Sequence, residues 1–148
     1  MRIPKKCQFA LRAVFELALR EPSQPVKIYQ IAGAQNIPPR FLEAILNQLK
    51  HAGFVDSRRG NEGGYMLARA AKNLTVGEVI RHIHGPISMD TDDIKKADKS
   101  DYFYGDYAFK QLLENVNDAI SGVCDNMTFA QLVEYEKTKT TSVHNYAI

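Results

Sequence analysis

Leu42, Ile45, Leu46 and Leu49 recur at i, i+3, i+4 and i+7 and predict a one-faced helix over 39–51. Pro39 suits its first turn, where a missing N–H costs little, and Gly53 closes it. Before it, Phe9, Ala10, Ala13, Val14, Leu17 and Ala18 predict a first helix over 7–20. Leu11 and Phe15 lie to another side, so this helix should be contacted on more than one face. Pro22 and Pro25 break the chain, and Ile28, Ile31 and Ala32 predict a short helix from 28 to 34. Asn36 can take the left-handed conformation that ends it. Two short helices joined by so tight a turn form a helix-turn-helix pattern.

After Gly53 the period changes. Phe54–Ser57 and Tyr65–Ala68 read as two short strands joined by a turn that Gly60, Gly63 and Gly64 permit. Thr75 and Glu78 form a capping box that starts another helix, with Val76, Val79, Ile80 and Ile83 as its buried stripe and Gly85-Pro86 as its stop. Residues 87–100 read as a solvated loop or a short helix. A long helix is then expected from Tyr102 to Ser121, with Phe109, Leu112, Leu113, Val116, Ala119 and Ile120 as its stripe and Gly122 as its stop. Tyr102, Phe103, Tyr104 and Tyr107 crowd its start. Thr128 and Gln131 cap a last short helix burying Phe129, Leu132 and Val133, and 138–148 reads as a loose polar tail.

These elements predict a mainly α fold with a small two-stranded wing: a winged helix-turn-helix domain over 1–85, a loop or effector segment over 86–104, a dimerisation helix and short C-terminal helix over 105–137, and a flexible tail. A single winged helix reads only a few base pairs, so pairing of the long helices through Phe109, Leu112, Leu113, Val116 and Ile120 is expected to give a two-fold dimer.

Charge sharpens this. Residues 1–72 carry 12 Lys and Arg against 5 Asp and Glu, a balance of +7. The remainder carries 7 against 12, a balance of −5 within the overall +2. A basic half of this kind suits a polyanion. Opposite the apolar stripe of the helix 39–51 stand Arg40, Glu43, Ala44, Asn47 and His51. Arg40 can pair with guanine or hold phosphate, Asn47 can pair with adenine or reach backbone, and Glu43 either accepts from the cytosine amino group or, as an acid, counts against docking this face. Taken alone, the same face also fits an ordinary surface helix. Arg58 and Arg59 at the base of the flap are placed to grip backbone phosphate, whereas Glu62 at its tip is not. Lys5 and Lys6, just ahead of the first helix, could join that grip.

Other chemistry is thin. The glycine-rich flap lacks the Gly-Lys-Ser/Thr ending of a phosphate loop, no nucleophile–base motif is present, and the chain is not expected to be an enzyme. No apolar run is long enough to span a bilayer and no signal-peptide pattern opens the chain, so a cytoplasmic protein is expected. Cys7 and Cys124 are too few for a disulfide framework. Glu78, His82 and His84 lack an obvious fourth ligand, and no metal site is expected there. A redox or metal sensor using Cys7, Cys124 or the pair His82 and His84 stands as an alternative, as does an interaction module docking a partner through the acidic loop and tail.

The stretches FALRAVFELA, IAGAQNIPPRFLEAILNQLKHAGFVDSRRGNEGGYMLARA and LTVGEVIRHIHGPI resemble the Rrf-type winged-helix transcription regulators, the IscR-, NsrR- and CymR-like proteins. The resemblance runs from Met1 to about Ile87. It implies DNA contacts at Pro39, Arg40, Glu43, Arg58 and Arg59, with the basic start of the first helix nearby. It also implies a homodimer in which the long helix crosses its mate on a pseudo-palindromic operator, most simply as a repressor. Cluster-binding members carry three cysteines between the wing domain and the long helix, and residues 85–109 here contain none. Where some members place an acid and a histidine as cluster ligands on the first helix, this chain has Gln8 and Arg12. The resemblance therefore implies DNA binding without an iron–sulfur cluster. It lies nearer the CymR-like proteins, where regulation can come from a protein partner.

Overall fold

The computed structural model describes residues 2–21, 24–89 and 103–146. Helix α1 (Lys5–Leu19) lies at the centre and packs against α2 (Ile28–Gln35), α3 (Pro39–His51) and α4 (Val76–Ile83). It can do so because Ala10, Ala13 and Ala18 keep its buried side slim, so that Val14 and Leu17 reach neighbours on several sides. Leu11 and Phe15 pack partly against the same core from a second face, as expected. The helix starts at Lys5, two residues before the predicted Cys7, which moves Lys5 and Lys6 into its first turn.

Glu16 of α1 is a charged side chain in this core, 3% exposed. It accepts a hydrogen bond from Arg20 Nε at 2.6 Å and from Gln35 Nε2 at 2.8 Å, which ties α1 to the end of α2. Asn36 then adopts φ 51° and ψ 51° and turns the chain into α3, where Pro39 occupies the first helical position. All four stripe residues of α3 are buried, none more than 2% exposed.

Strands β1 (Val55–Arg58) and β2 (Gly64–Leu67) pair antiparallel, with Val55 opposite Leu67 and Arg58 opposite Gly64. The wing is anchored by a third segment that the sequence pattern did not reveal. Val26 and Tyr65 exchange two backbone hydrogen bonds of 2.8 Å, so the chain entering α2 lies alongside β2. Gly64 sits at φ +153°, and a Cβ there would meet the Val26 carbonyl. Gly64→Ala should therefore cost about 1–3 kcal/mol through crowding of the backbone. A thermal melt should show the midpoint several degrees lower, and an unchanged midpoint would mean that the wing does not need this approach.

Helix α5 (Asp106–Asn126) runs through Gly122, the predicted stop, and ends four residues later. An interior glycine costs about 1 kcal/mol relative to alanine, and packing of α5 on α4 offsets it. Arg81 Nη2 lies 2.6 Å from Asp125 Oδ1, and the absent side chain of Gly77 leaves the room that Asp125 occupies. No residue of α5 is buried. The loop after α4 is pinned to it at Met89, whose N–H donates to Asn117 Oδ1 at 2.6 Å. Most of the predicted effector segment, and Tyr102, lie outside the described residues.

Helix α6 (Phe129–Tyr146) corrects the expected short helix and loose tail over 138–148, since it stays helical through Tyr146. The hydroxyls of Thr138, Thr140, Thr141 and Ser142 each donate to the carbonyl four residues back, a bond that the helix accommodates. Its start belongs to the winged-helix core. The Thr128–Gln131 capping box forms, the Phe129 N–H donates to Leu74 O at 3.0 Å, and Phe129 is fully buried. The start of α6 is thus packed into the winged-helix core.

Candidate nucleic-acid interface

Burying Leu42, Ile45, Leu46 and Leu49 commits the opposite side of α3 to solvent. Arg40, Glu43, Ala44 and Asn47 are all exposed there, with Pro39 at the helix start. His51 is turned back on its own helix, its Nδ1 2.7 Å from the Asn47 carbonyl oxygen. Lys50 Nζ donates to Ser57 Oγ at 2.6 Å and holds the end of α3 to β1, the strand that ends at Arg58. Lys27 Nζ reaches Gly60 O at 3.3 Å and fixes the wing turn against the entry to α2. Helix α3 is thus tied to the wing by Lys50 and the entry to α2 by Lys27, two lysine bridges that the sequence pattern did not reveal. Their only sequence signal was charge.

The cations are used in several ways. Lys110 and Lys137 pair with glutamates of their own helices, and, among the described residues, Arg2, Arg12, Lys72 and Lys139 are exposed without an ion pair. Arg20, Arg69 and Arg81 are spent internally, paired with Glu16, Glu78 and Asp125. Arg69 also lies over the Phe54 ring at 5.4 Å from its centroid. Among the described residues, Lys5, Lys6, Arg40, Arg58 and Arg59 carry no ion pair, and all five are exposed. Glu43 is likewise unpaired and exposed. Phe41, the third residue of α3, is 62% exposed and belongs to neither the apolar stripe nor the polar face that the spacing singles out.

The family described as Rrf2, iron-dependent transcriptional regulator, matches residues 3–135. The chain belongs to the Rrf2 family. CymR of Bacillus subtilis is 30% identical over 139 residues, covering 91% of this chain and 91% of that protein. The solved structure of that CymR, described as the global cysteine regulator of its organism, superposes with a TM-score of 0.78 over 91% of this chain and 98% of that one. A Mycobacterium tuberculosis protein named as an HTH-type transcriptional regulator is 42% identical over 88 residues, 60% of this chain. That match spans 55% of the relative, so the chain covers little more than half its length. These Rrf2 relatives carry the names of regulators, in line with the expectation that the chain is not an enzyme.

Among the described residues, the iron in the family description finds no matching donor set. Cys7 is fully buried, and burial pushes its thiol up. Cys124 is half-buried, and its thiol is pushed up by burial and by the neighbouring Asp125. Neither environment favours the thiolate that iron requires. Gln8 Nε2 is spent on the Ile3 carbonyl at 2.7 Å, and Arg12 is a cation. The pair His82 and His84 comes apart: His82 packs edge-on against Phe54 at 5.6 Å, while His84 lines a small cavity with Ile120 and Cys124. Among the described residues no three His, Cys, Asp or Glu side chains gather. These residues do not fit an iron–sulfur cluster. Among the described residues, no helix is long and apolar enough to cross a membrane.

Proposed function

We propose that the chain is a homodimeric, sequence-specific DNA-binding transcription regulator, acting as a repressor, whose helix α3 reads the major groove. The observation that carries this reading is the outward, unpaired face of Arg40, Glu43 and Asn47 on α3, joined through Lys50 and Ser57 to the strand that ends in the unpaired Arg58 and Arg59. Such a face offers base readers and phosphate grips on one rigid support. Lys5 and Lys6 support the same docking. In the first turn of α1 they oppose the helix dipole at about 0.3–1 kcal/mol each, and a phosphate beside them would reverse that sign. No step of this reading uses an iron–sulfur cluster.

Dimerisation is assigned to α5, on which Phe109 is 63% and Leu112 54% exposed in the single chain. Leu113, Val116 and Ile120, all half-buried, continue the stripe. Replacing Phe109 and Leu112 together by glutamate should yield monomers by sedimentation and weaken operator binding by about 100-fold or more through lost avidity. A variant that stays dimeric would move the interface elsewhere.

Selection of bound sequences from random DNA tests the reading as a whole, and a pseudo-palindrome with half-sites about 34–36 Å apart is expected. On that operator Glu43→Ala should lose about 1–3 kcal/mol of discrimination at one base pair per half-site. Arg59→Ala should weaken all sequences alike. If neither variant alters binding, α3 does not face the DNA.

A further inference from the structure

Among the large purely hydrocarbon side chains of the winged-helix half in the described residues, Phe41 is the most exposed, at 62% against 44% for Ile3 and 40% for Leu19. It stands at the third position of α3, between Arg40 and the buried Leu42, and Ala44 is exposed one turn further on. Helical side chains lean towards the N-terminus, so the phenyl ring covers the first turn of α3. That turn is the part of a recognition helix that approaches base edges. A phenyl ring has neither donor nor acceptor and cannot hold phosphate or pair with a base edge. The apolar group that unmodified DNA presents in the major groove is the C5 methyl of thymine.

We propose that Phe41 is a specificity-determining residue that packs on a thymine methyl in each operator half-site, with Ala44 extending the apolar strip. This rests on the reading of α3 as the recognition helix. It adds recognition of the thymine methyl itself, a group that the hydrogen-bonding side chains of Arg40, Glu43 and Asn47 do not read.

Deoxyuridine keeps every hydrogen-bonding group of thymidine and removes only the methyl. Each thymine of the selected operator is replaced by deoxyuridine in turn, and binding of the full-length wild type and of Phe41→Ala is measured. The wild type should weaken about fourfold at one position per half-site, the value of one buried methyl-sized group. Phe41→Ala should bind thymine and uracil operators alike while keeping its thermal midpoint, because the side chain it loses is exposed. The proposal is overturned if the wild type selects an operator yet no position responds to uracil, or if Phe41→Ala keeps the response. In either case α3 still reads the DNA by other contacts. It is also overturned if Phe41→Ala changes the oligomeric state with the methyl response intact, which would make Phe41 a protein contact. A wild type that selects no sequence removes the recognition-helix reading together with this one.

Discussion

Phe129→Ala is expected to destabilise the winged-helix unit by about 3–5 kcal/mol, the usual cost of emptying a buried phenylalanine site. Phe129 is fully buried and belongs to the same core cluster as Leu74, Val79 and the small side chains of α1. The loss is large against the roughly 5–15 kcal/mol by which a domain is stable. It should also fall on the whole unit. The Phe129 N–H donates to Leu74 O, and the Val76 N–H donates to Met127 O at 2.8 Å, so the start of α6 is stitched to the segment that begins α4. Urea unfolding followed through helix signal and through tyrosine fluorescence should give one transition, shifted to lower urea with the slope nearly unchanged. A variant whose helix α1 to α4 melted as in the wild type would show that α6 is an appendage.

The contrast between α3 and α6 shows which parts of the fold were legible. The α3 pattern was read correctly because one face is apolar and the other polar, and a single partner layer enforces that division. Phe129 and Val133 were placed in the core, but the helix beyond them carries no apolar stripe, and its hydroxyl-rich stretch looks like tail. The hydroxyls along α6 bond back to the carbonyl four residues earlier, which the helix tolerates but which does not itself hold that composition helical. Gly122 misled for a similar reason, because helix propensity is a weak prior that the contact with α4 overrides. The candidate site was legible in its side chains and not in its supports. Arg40, Glu43 and the wing arginines follow from periodicity and the glycine turn. Lys27 to Gly60 spans 33 residues, and the pairing of Val26 with Tyr65 is comparably distant, so no local pattern announces either.

Operator affinity is expected to fall steeply with salt, by about 10³–10⁵ between 50 and 200 mM if 6–10 phosphates are neutralised. The supply of charge is sufficient: Lys5, Lys6, Arg40, Arg58 and Arg59 are unpaired and exposed in each chain, and a dimer presents them twice. Each phosphate contact contributes about 0.9 to the slope of log affinity against log salt. Replacing Arg58 and Arg59 together by alanine removes four cations from the proposed dimer and should lower that slope by about 3–4. Arg69→Ala supplies the control. Arg69 is near the wing in sequence but committed to Glu78 at 2.9 Å and to the Phe54 ring, so its loss should lower stability and leave the slope almost unchanged. Equal slopes for the wild type and the double variant would take the wing off the phosphates. A change of slope in Arg69→Ala as large as that in the double variant would mean that total charge, not its placement at the flap, governs binding.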